Sequence, residues 1–382
     1  MTTRESMPLY RFIVEDLKAK ISSGHLKDGD AIPNQIELAK LYETSEITSR
    51  RALSELVNEG FVVRVRGKGS FVQLRDPSSF DGAEQTGLKQ VVLIHPTASA
   101  HVFNQPFYAS LISGIHAACE EHGIGFQLLD ASDSQAIEEN RNRRIGTIVL
   151  PSPENASAEL NVPAARLQAW KEAGLPVVLA LPYAPQLQLP CVTVDELTQG
   201  YLATEHLLSL GHERIGILLT GQSHLNIKQS FSLRLQGYKL ALSRHGIPFD
   251  ESLVSVMTAG DEPEEELGFR GAKQLLTLET NKPTAIFAAN DYIAFGAIRA
   301  GKELGLRMPD ELSIVGCDDV IQSRYTSPAL TTINPNTELV GKRSVERLIQ
   351  ASDEERLQQL SVKEEIAPKL ILRGSTAAWP SL

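Results

Sequence analysis

Between Thr44 and Ala52 the chain reads TSEITSRRA, and more cationic side chains follow in FVVRVRGKGSFV (residues 61–72). A serine just before an apolar-periodic run caps a helix, so Ser45 starts one and Glu46, Ile47, Thr48, Arg50 and Arg51 fall near its amino end. Guanidinium groups take phosphate oxygens, and hydroxyl, carboxylate and guanidinium groups read base edges in a groove. The later string alternates and turns at Gly67-Lys68-Gly69, which makes a hairpin with Arg64 and Arg66 on one arm and Lys68 at the tip. On an isolated helix Arg50 and Arg51 would be a solvated charged face. The glycines do not form a phosphate loop, because G-x-x-x-x-G-K-[ST] needs glycine where Val62 stands and a Lys-Ser/Thr pair at Lys68-Gly69.

The elements that must position these residues are legible nearby. Pro8 to Gly24 predicts a helix with Leu9, Phe12, Ile13, Leu17 and Ile21 on one face. A second helix follows the cap Asn34, with Ile36, Leu38, Ala39, Leu41 and Tyr42 mostly buried. The turn Glu43-Thr44-Ser45 leads to the third, buried through Ala52, Leu53, Leu56 and Val57 and stopped by Gly60. Two short helices joined this tightly predict a helix-turn-helix with the third helix as recognition helix.

After Val72, RDPSSFDGAEQTGL (75–88) has a linker's composition. From Lys89 onward short aliphatic runs alternate with helical periods: VVLI (91–94), GFQLL (125–129), TIVL (147–150), VVLAL (177–181), CVTV (191–194), IGILL (215–219), AIFAA (285–289) and SIVG (313–316). Strands buried on both faces and alternating with amphipathic helices predict parallel, doubly wound sheets. About ten strands exceed one comfortable sheet, so two lobes with a cleft are expected, against a single large Rossmann-type enzyme domain.

The 382 residues suit two or three units, with 42% hydrophobic and 22% charged residues. Net charge is -10, yet residues 1–74 hold 11 Lys/Arg against 10 Asp/Glu, so DNA contact would use a local basic surface on the first unit. Cys119, Cys191 and Cys317 lie far apart, which predicts reduced thiols and a cytoplasmic protein. The apolar residues near the amino terminus are interrupted by Glu15, Asp16 and Lys18, and no run reaches the roughly 18 apolar residues that span a bilayer. No membrane association is expected. His95, His101 and His224 have no second ligand at helical or hairpin spacing, so no metal is expected either.

Residues 8–73, through GHLKDGDAIPNQIELAKLYETSEITSRRALSELVNEGFVVRVRGKGSFV, resemble the winged-helix head of the GntR family of regulators. The resemblance implies that Arg50 contacts DNA and that the Gly67–Ser70 wing enters the adjacent minor groove. It makes Ser45, Glu46, Thr48, Arg50, Arg51, Arg66, Gly67, Lys68 and Gly69 the candidate DNA-binding set. Two positions depart from the family pattern: Glu46 stands where arginine is usual, and Asn34-Gln35 where a Ser/Thr-Glu pair is favoured. A glutamate there can accept from a cytosine amino group, so the operator sequence is not transferable from relatives.

Residues 89–375 resemble the effector domains of LacI/GalR regulators, through VTVDELTQGYLATEHLLSLGHERIGIL, SFSLRLQGYKLAL and PTAIFAANDYIAFGAIRAGKELGLRMPDELSIVGCDD followed by SPALTTI. A GntR head on such a body is the arrangement of the arabinose-repressor subfamily. The fold class implied is α/β: a winged helix-turn-helix (1–73), a linker (74–88) and a two-lobed, doubly wound parallel-sheet domain of periplasmic-binding-protein type (89–382). The implied function is a DNA-binding regulator, a homodimer on a pseudo-palindromic operator, released by a monosaccharide, L-arabinose first.

In the matching positions Arg234 donates to the ligand, and Ser230, one turn earlier, points the same way. Asn290 and Asp318 fall at carboxyl ends of parallel strands, where open sheets bind ligands. Phe107 or Tyr108 would stack on a sugar ring. Asp291 reads as a helix cap, Asp319 as a satisfier of backbone groups and Trp170 as packing. A purine, nucleoside or another sugar is the rival effector. The rival class is an enzyme, since some GntR heads carry a pyridoxal-phosphate body, but no lysine follows a strand as a Schiff base requires. No catalytic residue and no cofactor are expected.

Overall fold

The computed structural model describes residues 9–27, 29–58, 61–65, 69–72, 88–95, 106–134, 137, 144–151, 160–181, 184–223, 226–227, 229–258, 262–351 and 363–380. They form two compact units: Met1–Pro153, Ala158–Val194 and Thr337–Ala367 in the first; Glu154–Ser157, Asp195–Asn336 and Pro368–Leu382 in the second.

The first unit opens with α1 (Leu9–Ser22), whose Ile13, Val14, Leu17 and Ile21 fall on one buried stripe. A two-residue strand β1 (Ala31–Ile32) precedes α2 (Gln35–Leu41), which Asn34 starts with a capping box. Asn34 accepts from the Glu37 amide at 3.1 Å while Glu37 accepts from the Asn34 amide at 2.9 Å. The expectation for α2 is corrected in part: Leu38, Ala39 and Tyr42 are buried, but Ile36 and Leu41 are exposed. At helical spacing those two lie off the stripe that Leu38, Ala39 and Tyr42 share. After α3 (Glu46–Asn58), strands β2 (Val62–Val65) and β3 (Gly69–Val72) pair antiparallel, and β1 pairs with β3. Leu38, Leu53, Leu56, Val62 and Val72 close the core of this head.

The rest of the first unit is a six-stranded, wholly parallel sheet. Its strands are β4 (Gln90–His95), β5 (Gly125–Asp130), β6 (Ile145–Val149), β7 (Val177–Ala180), β8 (Cys191–Val194) and β15 (Lys363–Ile366), in the order β15-β8-β7-β6-β4-β5. Helices α4 (Pro106–Glu121) and α10 (Thr337–Ala351) lie against each other at backbone contact distance. A Cβ on Gly114 would sit 1.9 Å from the Glu338 carbonyl oxygen. Trp170, on α5 (Ala164–Glu172), is fully buried among Leu167, Val177 and Leu179.

The second unit has a seven-stranded sheet. β9 (Ile215–Ser223), β11 (Val254–Thr258), β12 (Ala285–Ala288), β13 (Ser313–Cys317) and β14 (Thr331–Asn334) run parallel, while β10 (Asn226–Ile227) and β16 (Lys369–Ile371) are antiparallel edges. Its helices are α6 (Glu196–Ser209), α7 (Gln229–Arg244), α8 (Glu264–Leu276) and α9 (Asp291–Glu303). The three cysteines are free and buried. No helix among the described residues is long and apolar enough to cross a membrane.

Candidate nucleic-acid interface and effector site

On the head, Ser45 caps α3 by accepting from the Thr48 amide at 3.0 Å, and its hydroxyl lies 2.8 Å from Thr48 Oγ1. Glu46 is exposed, and Thr48 and Arg50 are half-buried. The Arg51 guanidinium is stacked 3.6 Å from the Tyr10 ring centroid, so its planar face is used inside the head. Arg50 Nη2 lies 3.0 Å from Glu365 Oε2, an ion pair from α3 to strand β15. At the wing, Gly69 has φ +116°, a backbone setting that suits glycine, and it is exposed. Arg66, Gly67 and Lys68 lie outside the described residues, as do the side chain of Arg64 and most of the 74–88 segment.

In the second unit the site is built by two helices that touch backbone to backbone. A Cβ on Gly200 of α6 would lie 2.0 Å from the Arg234 carbonyl oxygen, and one on Gly237 of α7 would lie 2.1 Å from that of Leu197. Only glycine permits this approach, which puts Glu196 beside Arg234. Asp195 caps α6 through the Thr198 amide at 3.0 Å, so Glu196 is its first residue. Arg234 Nε donates to Glu196 Oε2 at 2.7 Å, Nη1 donates to the Ala289 carbonyl, and Nη2 lies 3.7 Å from Asp318 Oδ1. Burial opposes the Arg234 charge, but Cys317, Glu196 and Asp318 outweigh it and hold its pKa above the ordinary arginine value.

Asp318 and Asp319 follow β13 at φ 115° and 51°, two consecutive non-glycine residues with positive φ. Such strain, of order 1–3 kcal/mol per residue, persists where surroundings over-determine it, and it gathers at binding sites. Here the Asp318 amide donates to the Ile333 carbonyl at 2.8 Å. Asp319 accepts from Arg373 at 2.5 Å and from Asn334 at 2.9 Å. These side-chain partners correct the expectation that Asp319 serves the backbone. Burial pushes the Asp318 carboxyl well up against the pull of Arg234, and Asp291, Glu196 and Glu264 push it the same way.

The roles expected of Asn290 and Asp291 are reversed in part. Asn290 is the cap of α9: its Oδ1 accepts from the Ile293 amide at 2.9 Å, and its Nδ2 donates to Glu264 Oε2 at 2.7 Å. Asp291 is the first residue inside the helix, fully buried, and its carboxylate accepts from the Val320 amide and the Ser323 and Thr332 hydroxyls. Either residue type caps well, and the loop after β13 decides which one turns inward. Ser230 is half-buried at the start of α7. In the first unit, Tyr108 is packed in the core at 8% exposure, while Phe107 is half-buried at its edge with the rings 5.4 Å apart. His95 is buried. His101 and His224 lie outside the described residues.

Three residues near this site were not anticipated: Glu196, Glu264 and Tyr292. Burial, then Glu264, Asp318 and Asp291, raise the Tyr292 pKa above its ordinary value. Glu196 and Glu264 each open a helix, where the dipole favours a carboxylate, so the available signal was helix position.

The arrangement offers N–H donors and carboxylate acceptors at the carboxyl ends of parallel strands, a setting for a polyhydroxylated ligand. Residues 9–72 match the bacterial regulatory proteins of the gntR family, and residues 204–376 match a periplasmic binding protein-like domain. The chain is 30% identical to an arabinose metabolism transcriptional repressor of Halalkalibacterium halodurans, over 96% of both chains. The chain belongs to the GntR family. A second arabinose metabolism transcriptional repressor, from Geobacillus stearothermophilus, is 29% identical to this GntR regulator over 97% of its chain and 98% of the relative's. A LacI family transcriptional regulator from Enterococcus faecium, solved with bound ribose, superposes at TM-score 0.57 with 25% identity, over 76% of this chain and all of that one. The GntR regulator is therefore a DNA-binding protein and not an enzyme.

Proposed function

We propose that this GntR regulator is a repressor that holds a pseudo-palindromic operator as a homodimer and leaves it when a monosaccharide, L-arabinose first, binds through Arg234, Asn290 and Asp318. One observation carries the reading: a buried guanidinium, oriented by Glu196, stands beside the strained Asp318 at the strand ends. The likeness to arabinose metabolism transcriptional repressors along 96% of the chain supports it. Ser230, at the start of α7, completes the proposed ligand set in the second unit. The operator is taken by Ser45, Glu46, Thr48, Arg50, Arg66, Gly67, Lys68 and Gly69, while Arg51 stays stacked on Tyr10. Residues 1–73 are the head, 74–88 the linker and 89–382 the effector and dimerisation domain. Tyr325, 80% exposed, with Ile321 and Leu372, supplies apolar surface that suits a second copy of the chain. Its proposed location is the cytoplasm, where operator DNA lies.

The test is fluorescence anisotropy on a duplex selected by the wild-type protein from a random-sequence pool, titrated with pentoses, hexoses and nucleosides. One pentose should loosen the complex by about 5- to 150-fold, the usual range of such coupling. The same sugar at about 100 times its Kd should stabilise the protein by roughly 2.7 kcal/mol. A panel in which only nucleosides act, or nothing acts, would overturn the sugar reading.

A further inference from the structure

Strand β15 carries two adjacent carboxylates that face opposite ways, as alternation along a strand requires. Glu364 points inward, is 2% exposed, and accepts from Arg343 Nε at 2.6 Å and Arg347 Nε at 2.7 Å, both on α10. Glu365 points toward the head. Its Oε2 lies 3.0 Å from Arg50 Nη2 and its Oε1 2.8 Å from Lys363 Nζ, and neither it nor Arg50 is more than a quarter exposed. Burial pushes the Glu365 carboxyl up, but Lys363 and Arg50 bring it below its ordinary value.

We propose that Glu365 is an autoinhibitory counter-ion that occupies Arg50 of the recognition helix and holds the head off DNA. A carboxylate oxygen and a phosphate oxygen are equivalent acceptors for the same guanidinium N–H. With Arg50 paired to Glu365, the face of α3 that carries it lies against β15 and must leave that strand to enter a groove, so the docked head and the DNA-bound head exclude each other. The clamp on Glu364 makes the counter-ion a fixed one, since it ties β15 to α10 through two buried guanidiniums. Both elements adjoin chain crossings: α10 begins where the chain re-enters the first unit at Thr337, and β15 ends one residue before it leaves after Ala367. The inference rests on the reading of Arg50 as a DNA contact.

The experiment uses the full-length protein without effector and the selected duplex, comparing wild type, Glu365→Gln, Arg50→Ala and the double variant. Glu365→Gln should tighten binding about two- to fivefold, the range for a partly exposed ion pair. Arg50→Ala should weaken binding, and adding Glu365→Gln to it should change nothing further. Glu365→Ala serves as a second removal of the carboxylate, and a thermal melt checks that each variant is folded. Unchanged or weaker binding by the folded Glu365 variants overturns the proposal. An equal gain in the Arg50→Ala background also overturns it, since Glu365 would then merely repel DNA. If Arg50→Ala binds as tightly as wild type, the assignment of Arg50 itself has failed and the proposal falls with it.

Discussion

Arg234 and Glu196 are 38 residues apart in the chain and 2.7 Å apart in the fold, with both side chains largely shielded from water. The pair exists because Gly200 and Gly237 let α6 and α7 meet backbone to backbone. It sets the plane of the guanidinium and leaves the remaining N–H groups aimed by neighbours rather than by solvent. A ligand held by Arg234 would therefore depend on Glu196 for the orientation of the guanidinium.

Glu196→Gln keeps the shape and removes the charge. The buried guanidinium would retain Asp318 at 3.7 Å and the Ala289 carbonyl, a poorer set of acceptors. Stability should drop by about 1–3 kcal/mol. Sugar affinity measured by calorimetry should fall while operator affinity stays the same, and wild-type sugar affinity would show that Glu196 does not orient Arg234.

Asp291 should make the second unit's stability depend on pH. Burial raises its carboxyl to about 7 against the bonds from Ser323, Thr332 and Val320. A carboxyl with a folded pKa above its unfolded value binds its proton more tightly when folded, so stability falls as pH rises from about 4 to about 7 and is level beyond. The full difference is at most about 4 kcal/mol. Asp291→Asn, which can still accept from Val320 and Ser323 and donate to Thr332, should flatten urea-derived stability across that window. A slope that survives the substitution belongs to another group.

Glu364 has the opposite sign. Burial pushes its carboxyl up, but Arg347 and Arg343 overcome that and leave it below 4.5. Its contribution is complete above the unfolded pKa and disappears as pH falls through the folded one. Glu364→Ala takes the shared carboxylate from two buried guanidiniums, of which Arg343 keeps Glu346, and should cost about 3–5 kcal/mol. A denaturation midpoint within error of wild type would mean that α10 and β15 are held together by apolar packing alone.

The neighbouring arginines of α3 should separate cleanly. Arg50→Ala should lower the slope of log affinity against log salt by about 0.9, one phosphate contact. Arg51→Ala removes the stack on Tyr10 and should cost about 0.5–1 kcal/mol of head stability. Equal loss of salt slope in both variants would show that Arg51 leaves Tyr10 to meet DNA.

Much of this was legible because it is local. The Asn34 and Ser45 caps are set by residues two or three positions apart, and runs such as VVLI and AIFAA announce buried parallel strands by composition alone. Strand β15 was missed because KEEI shows no apolar alternation; its glutamates are tolerated only because arginines meet them from elsewhere. The sequence offers Tyr108 beside Phe107 as a ring to stack on a sugar, and its burial depends on the helix and sheet packed over it.

The sequence by itself determined the head, the doubly wound body and the residue types available for DNA and ligand, since caps, periodicities and turns depend on side chains within a few positions of each other. Only the tertiary structure decided which partners those residues meet: Glu196 for Arg234, Glu264 for Asn290, the loop after β13 for Asp291, and Glu365, 315 residues away, for Arg50. The physical reason is that an ion pair or buried hydrogen bond is set by atoms within about 3 Å in space. No local pattern in the chain records which distant element will supply them.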